Sequence, residues 1–248
     1  MTRQLTVIHE ASSSVSTPWL SVIIPVLNEA ETLPRTLRAL QPALASGAIT
    51  IIVVDGGSED KTVTVAQRWG CTTLPCTRGR ARQLNAGARL ARTEHLWFLH
   101  ADTLPPPDWL RQLQQVAKEH RPACFRLQFD HGRRWSWLTV YGWLSRFDLE
   151  AFRYGDQSLF VTKSQFLAAG GYREDMSLLE DNDLVRRLAQ RGNRPRVLAG
   201  RVTSSARRYQ RFGVIFTQSV YVGLYAAYRL GLSNARLKRI YDWAFSST

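Results

Sequence analysis

Short, nearly unbroken apolar runs that alternate with stretches of helical period constrain this chain more than any other feature of it. Residues 20–27, between Pro18 and Asn28, are rich in valine, leucine and isoleucine. A run of that length without polar alternation suits a strand buried on both faces, as in a parallel sheet. The period then changes: Leu33, Leu37 and Leu40 recur at helical spacing, with Glu29 and Glu31 near the helix start where the macrodipole favours acid. Residues 49–54 repeat the apolar run and end at Asp55-Gly56-Gly57-Ser58, and 61–69 turn helical again. Parallel neighbours need such a crossover, so the segment reads as a βαβ unit. A third strand at 71–74, a helix at 80–91 and a fourth strand at 95–99 follow, the last closing at His100-Ala101-Asp102. The alternation predicts an α/β fold with a Rossmann-like, mostly parallel sheet flanked by helices. From Ala123 the pattern changes: Phe125, Leu127 and Phe129 alternate as a strand does, and 133–154 is dense in aromatics and arginines, which predicts a second lobe.

Ligands of open α/β sheets bind beyond the carboxyl ends of the strands. Asn28, Glu29, Asp55 and Asp102 therefore qualify as site residues. Asp55 precedes two glycines and a serine, a pattern that serves close approach to a ligand or simply a tight turn. His100 and Asp102 stand before Pro105-Pro106-Pro107, and a carboxylate there either holds a divalent cation bridging two phosphates or caps a turn. Residues 177–192 read as an acidic helix start followed by an amphipathic helix, with Leu184, Val185 and Leu188 on one face and Gly192 at the stop. Ser177-x-x-Glu180 matches a capping box, but Glu180, Asp181 and Asp183 together exceed what a cap needs, which makes a general base plausible. Arg78, Arg80 and Arg82 alternate into the helix at 80–91, as forks for phosphate or as a solvated basic face. Arg207 and Arg208 raise the same choice between a pyrophosphate and water.

Charge narrows the partners. With 33 Lys+Arg against 20 Asp+Glu among 248 residues, the net +13 implies nucleotide phosphates, nucleic acid or an acidic membrane surface. Cys71, Cys76 and Cys124 are odd in number and lack Cys-x-x-Cys spacing, which supports neither a disulfide framework nor a zinc site and suits a reducing cytoplasm. Residues 1–18 read as a loose tail without a signal-peptide run. The apolar stretch 212–228 is interrupted by Thr217, Gln218 and Ser219 and is read as a buried or interfacial helix. Arg229, Arg236, Lys238 and Arg239 follow it, which suits peripheral contact with an anionic inner membrane face.

Taken together, Val22-Ile23-Ile24-Pro25 with Asn28-Glu29, Val53-Val54-Asp55-Gly56-Gly57-Ser58 with Asp60, His100-Ala101-Asp102, and Glu180-Asp181-x-Asp183-Leu184 resemble the ordered signature of family 2 glycosyltransferases of the GT-A fold. The match spans about residues 20–192. Arg80-Ala81-Arg82-Gln83-x-Asn85-Ala86-Gly87, Phe98-Leu99-His100-Ala101-Asp102-Thr103 and Gly155-Asp156-Gln157 further resemble a bacterial subgroup labelled arsenosugar-biosynthesis glycosyltransferases. The resemblance implies a nucleotide-binding half at 19–115, an acceptor half at 116–211 and a C-terminal helical segment at 212–248 within one domain. It implies that Pro25, Asn28 and Glu29 line the nucleotide pocket, that Asp55 contacts base or ribose, and that Asp102 binds a divalent cation, Mg2+ or Mn2+. Arg80, His100, Arg207 and Arg208 fall on the donor side, Asp156, Gln157 and Glu180 on the acceptor side, and Asp181 is the implied catalytic base.

The chain departs from the family pattern at Gly56, where a second acid is usual, and at His100, where the metal motif usually begins with Asp. The implied reaction transfers a sugar from a nucleotide-sugar donor to an acceptor hydroxyl with inversion, and no nucleic-acid partner is expected. Two other readings compete. A metal-dependent nucleotidyltransferase would open with a glycine-rich loop after its first strand, and residues 21–31 contain no glycine. A non-enzymatic basic module for membrane or nucleic acid leaves the acids at the strand ends unexplained.

Overall fold

The computed structural model describes residues 17–130 and 157–246. Strands β1 (Leu20–Val26), β2 (Ile49–Asp55), β3 (Thr72–Pro75), β4 (His95–Phe98), β5 (Ala123–Phe129), β6 (Leu159–Thr162) and β7 (Arg196–Ser204) form one sheet in the order β3-β2-β1-β4-β6-β5-β7. β1 pairs in parallel with β2 and β4, β2 with β3, and β5 with β7. Strand β6 runs antiparallel to both β4 and β5. The mostly parallel α/β sheet expected from the apolar runs is thus present, with one reversed strand in its middle.

Successive side chains of a strand point to opposite faces, so each central strand feeds two cores. Val22, Ile24, Ile51, Val53 and Trp97 pack against helices α1 (Leu33–Ala45) and α4 (Trp109–Ala117) through Leu37, Leu40 and Leu113. Ile23, Ile52, Val54 and Phe98 pack on the other side against α3 (Arg80–Leu90), α5 (Lys163–Ala168) and α6 (Glu180–Gln190) through Leu84, Phe166 and Leu184. Helix α2 (Thr62–Arg68) completes the crossover between β2 and β3. Glu29 and Glu31 precede the first turn of α1 and are not part of it.

Helix α3 lies unusually close to the sheet. A Cβ on Gly87 would stand 2.5 Å from Ile23 Cγ2 and 3.0 Å from Val54 Cγ2, so only glycine allows this approach. The chain builds outward from β1 to β3 and then returns to place β4 on the opposite side of β1. That reversal opens a crevice at the carboxyl ends of β1 and β4.

The apolar stretch at 212–228 is not one buried helix. Helix α7 (Arg207–Phe212) stops at Gly213, whose φ of 79° breaks the rod, and α8 (Val214–Arg229) begins beyond it. Only Thr217 and Leu224 of α8 are buried, while Ile215, Phe216 and Val222 face outward. Helix α9 (Asn234–Ser246) likewise buries Leu237 and Ala244 and exposes Ile240 and Trp243. No helix among the described residues is long and apolar enough to cross a membrane. Residues 1–16 and the aromatic-rich stretch 133–154 lie outside the described residues.

Candidate active site

Two adjoining cavities occupy the crevice, of ≈ 540 Å³ and ≈ 670 Å³. Glu29, Arg80, His100, Asp102 and Ser177 belong to both and form their shared wall. The smaller cavity is closed by Pro25 at the end of β1, by Arg78 and Arg82 around the start of α3, and by Lys238 of α9. The larger runs from Glu180 and Asp181 to Arg208, Tyr209, Tyr221 and Leu224 on α7 and α8.

Helix α3 organises the wall, and each of its turns has a separate task. Arg80 donates through Nη1 to the carboxylates of Glu180 and Asp181 and through Nη2 to His100 Nε2. Gln83 donates to Val26 O at 2.9 Å and to Val54 O at 2.8 Å, tying the ends of β1 and β2 together. A Cβ on Gly56 would come within 3.0 Å of the Gln83 amide, so Gln83 stands where a side chain at position 56 would have to fit. Asn85 donates to Tyr172 O at 2.8 Å and accepts from Tyr172 N at 2.9 Å, which clamps the loop leading to α6.

The electrostatics follow from burial around Arg80. Burial opposes its charge, but Asp181 and Glu180 more than compensate and hold its pKa well above the ordinary guanidinium value. Burial and the Arg80 cation push His100 well below its ordinary value, so the imidazole is neutral and accepts at Nε2. Burial raises the Glu180 carboxyl, with Arg80 opposing. Burial and the charge of Asp181 push the Tyr172 phenol well above its usual range, which keeps it protonated.

The capping box expected at Ser177 and Glu180 does not form. Leu179 occupies the N-cap of α6 in the left-handed region at φ 61°, with no side-chain cap bond, and Ser177 lines the cavities instead. Backbone held in that region by a bulky residue stores strain of about 1–3 kcal/mol, which is typical of functional loops. The three acids of the first turn then part company. Glu180 and Asp181 meet Arg80, whereas Asp183 accepts from Arg187 Nε at 2.7 Å, Arg186 Nη2 at 3.0 Å and the Tyr228 hydroxyl at 3.0 Å. Arg187 donates further to Gly171 O at 2.7 Å and to Ala169 O, so Asp183 anchors this loop and α8 to α6.

The other expected residues divide. Pro25, Glu29, His100 and Asp102 line the crevice, and Arg208 lines the larger cavity with its guanidinium 5.7 Å from the Tyr241 and Phe245 ring centroids. Asn28 and Asp55 are not in either wall. Asn28, at φ 55°, accepts from Glu59 N at 2.9 Å and donates its own amide to Ser58 Oγ at 2.9 Å. Asp55 accepts from Gly57 N and Ser58 N, both at 3.1 Å, and from the Ser58 hydroxyl, which is the tight-turn role. These hydrogen bonds fix the turn after β2 and tie it to the end of β1. Gln157 is buried against the Cys124 thiol and lines neither cavity. Asp156 and the side chain of Arg207 lie outside the described residues.

Sequence reasoning gave no role to Tyr172 or Tyr221, and it quoted Gln83 and Asn85 in the motif from Arg80 to Gly87 without one. Arg80, Gln83 and Gly87 share one helical face at i, i+3 and i+7, and polar or small residues on a face that meets the sheet were the available signal. Among the described residues no group of three or more His, Cys, Asp or Glu is placed to hold a metal ion. Glu29 and Asp102 are the carboxylate residues of the wall that the two cavities share.

Residues 21–169 match the family described as Glycosyl transferase family 2. An uncharacterized glycosyltransferase of Mycobacterium tuberculosis is 30% identical over 186 residues, covering 70% of each chain. A PGL/p-HBAD biosynthesis glycosyltransferase of Mycobacterium bovis is 28% identical over 181 residues, covering 68% of this chain and 69% of that one. Among solved structures, a mannosyltransferase of Pyrobaculum calidifontis in complex with GDP-Man and Mn2+ superposes with TM-score 0.63 at 19% identity, over 90% of this chain and 68% of that one. S. aureus TarS 1-349 in complex with UDP-GlcNAc superposes with TM-score 0.62 at 16% identity, over 89% and 70%. This chain spans 42% of a longer S. aureus TarS chain. The structural likeness speaks for the fold, and the sequence match runs from β1 through α5 and covers more than half of the chain, so the chain belongs to glycosyltransferase family 2 and has the GT-A architecture.

Proposed function

We propose that this glycosyltransferase moves a sugar from a nucleotide-sugar donor to an acceptor hydroxyl in a single displacement with inversion at the anomeric carbon. One observation carries the reading: two cavities share a wall at the switch point of the sheet, with Asp102 in that wall and Asp181 in the larger cavity. In the smaller cavity Pro25, Glu29 and His100 receive the donor, with Asn28 and Asp55 holding its loops in shape. Arg78 and Arg82 offer guanidinium forks to the diphosphate. The acceptor enters the larger cavity beside Glu180 and Arg208. Asp181 takes the acceptor's hydroxyl proton as the new C–O bond forms, and the bond from the anomeric carbon to the nucleoside diphosphate breaks with its electron pair on the leaving phosphate.

A divalent cation suits a single carboxylate here, because Mg2+ is commonly held by one or two carboxylates and the substrate's phosphates. Asp102 would hold it, and the ion would supply charge stabilisation to the departing diphosphate. The motif from Arg80 to Gly87 supports a place in the arsenosugar-biosynthesis subgroup. Calorimetry with UDP and with GDP, with and without Mn2+, tests the reading. Metal-dependent binding of at least one nucleotide, abolished in Asp102→Ala, is expected; equal affinity in the presence of chelator overturns it.

A second reading concerns place. Ile215, Phe216, Val222, Leu230, Ile240 and Trp243 are exposed on α8, α9 and their connection, in a segment that also carries Arg229, Arg236, Lys238 and Arg239. Apolar side chains flanked by cations match an anionic bilayer surface, which supports peripheral attachment at the cytoplasmic face with the larger cavity built partly from the same helix, α8.

A further inference from the structure

We infer that Arg80 is the positioning residue of the general base, holding the Glu180 and Asp181 carboxylates together at the junction of the two cavities rather than serving the donor's diphosphate. The inference rests on Asp181 as the base. Three alternating arginines lead into α3, and the structure separates them. The side chain of Arg82 is 49% exposed and lies 4.0 Å from Glu174 at the rim. Arg80 instead turns inward, with one terminal nitrogen bonded to both carboxylates and the other to His100. A phosphate could draw on Nη1 only by breaking two charge-assisted bonds, which is costly. Arg78 and Arg82 reach the same cavity without that cost.

The pair also needs the cation. The Glu180 and Asp181 side chains are only 6% and 14% exposed, and two neighbouring buried carboxylates without a counter-charge do not both stay ionised. The groups around them are few. From α3 comes Arg80, from the loop after β4 His100, and from the loop before α6 the protonated phenol of Tyr172. Glu29, Asp102 and Arg208 stand in the walls of the same cavity. Of these, Arg80 is the cation that bonds the pair directly, and it opposes the upward push of burial on Glu180. A proton on the pair would remove the base. Arg80 thereby keeps Asp181 ready to accept the acceptor's proton, and Glu180 holds the guanidinium from a second side so that its direction is fixed.

The test compares wild type with Arg80→Gln and Arg80→Lys. Carboxyl carbon NMR titrations read the pair, with signals assigned through Glu180→Gln and Asp181→Asn, and calorimetry with UDP and GDP in Mn2+ reads the donor side. In Arg80→Gln the pair should titrate higher by about one pH unit or more, and in Arg80→Lys by less, since one ammonium cannot replace the fork. Nucleoside diphosphate affinity should stay within about threefold, because Arg80 is not its main ligand. A pair that titrates as in wild type overturns the inference, and a tenfold or greater loss of nucleotide affinity beside it would mark Arg80 as a phosphate ligand. If Arg80→Gln does not fold by circular dichroism, Arg80→Lys is judged by the same titration. Failure of the wild type to bind either nucleotide would count against the proposed donor and leave the titration to decide the role of Arg80. With a donor in hand, the acid limb of the kcat/KM profile should move upward with the pair.

Discussion

Replacing Asp183 by asparagine should cost stability while leaving the proton-transfer machinery in place. The Asp183 side chain is 1% exposed and accepts from Arg187, Arg186 and Tyr228. Each bond to a charged group is worth about 1.5–3 kcal/mol net when buried. The Arg187 bond counts nearly in full because that side chain is 17% exposed, whereas the Arg186 side chain, at 36%, contributes little once solvent screens it. Asparagine keeps the outline and one acceptor oxygen, so a net loss of about 3 kcal/mol is expected, or about 6–12 °C in Tm for a chain of this size. The effect should depend on pH. Burial pushes the Asp183 carboxyl up, but the hydrogen bonds and charges of Arg187 and Arg186, with the Tyr228 hydroxyl, outweigh it and hold its pKa below the ordinary value. A depressed folded-state pKa means that the contribution is complete above the unfolded value of about 4 and is lost as pH falls through the folded value. The gap between wild type and Asp183→Asn should therefore be constant from pH 8 to about 5 and close below about pH 4. Melts followed by circular dichroism across this range, beside a donor-turnover assay at neutral pH, measure both. A variant that melts like wild type yet has lost turnover would refute the reasoning and move Asp183 into the chemistry.

Three further outcomes bear on the site and its support. Asp181→Asn should lower transfer by about a hundredfold or more while donor affinity stays close to wild type, and a variant that keeps wild-type turnover would reduce Asp181 to a structural role. Gly87→Ala forces a methyl group against Ile23 and Val54 and should cost about 1–3 kcal/mol by overpacking; unchanged melting would show that α3 can lift off the sheet freely. The protein should sediment with phosphatidylglycerol vesicles at low salt, and the pair Ile215→Ser and Trp243→Ser should release it; absence of sedimentation by wild type rules out the docking surface.

Strands β1, β2 and β4 were legible because a parallel strand is covered on both faces, which writes it into the sequence as an apolar run. The polar residues after those runs marked the crevice for the same reason, since a side chain that leaves the sheet edge stops being selected for burial. Reversal of β6 between β4 and β5 had no such mark: its four residues are all buried, and an apolar run carries no sign of its direction. Nor did local pattern separate the three acids of α6. Glu180, Asp181 and Asp183 look alike as the start of a helix, yet successive residues turn by about 100°, so their side chains face different neighbours. One neighbour, Arg80, comes from a hundred residues upstream, and another, Tyr228, from 45 downstream. Asn28 and Asp55 show the same limit, because a turn-forming carboxamide or carboxylate and a ligand-binding one use identical residue types. The sequence by itself determined which faces are buried, and with them the layers and the crevice, because burial is a property each residue carries. Only the tertiary structure decided which charge meets which across the crevice, because that pairing depends on the residue opposite.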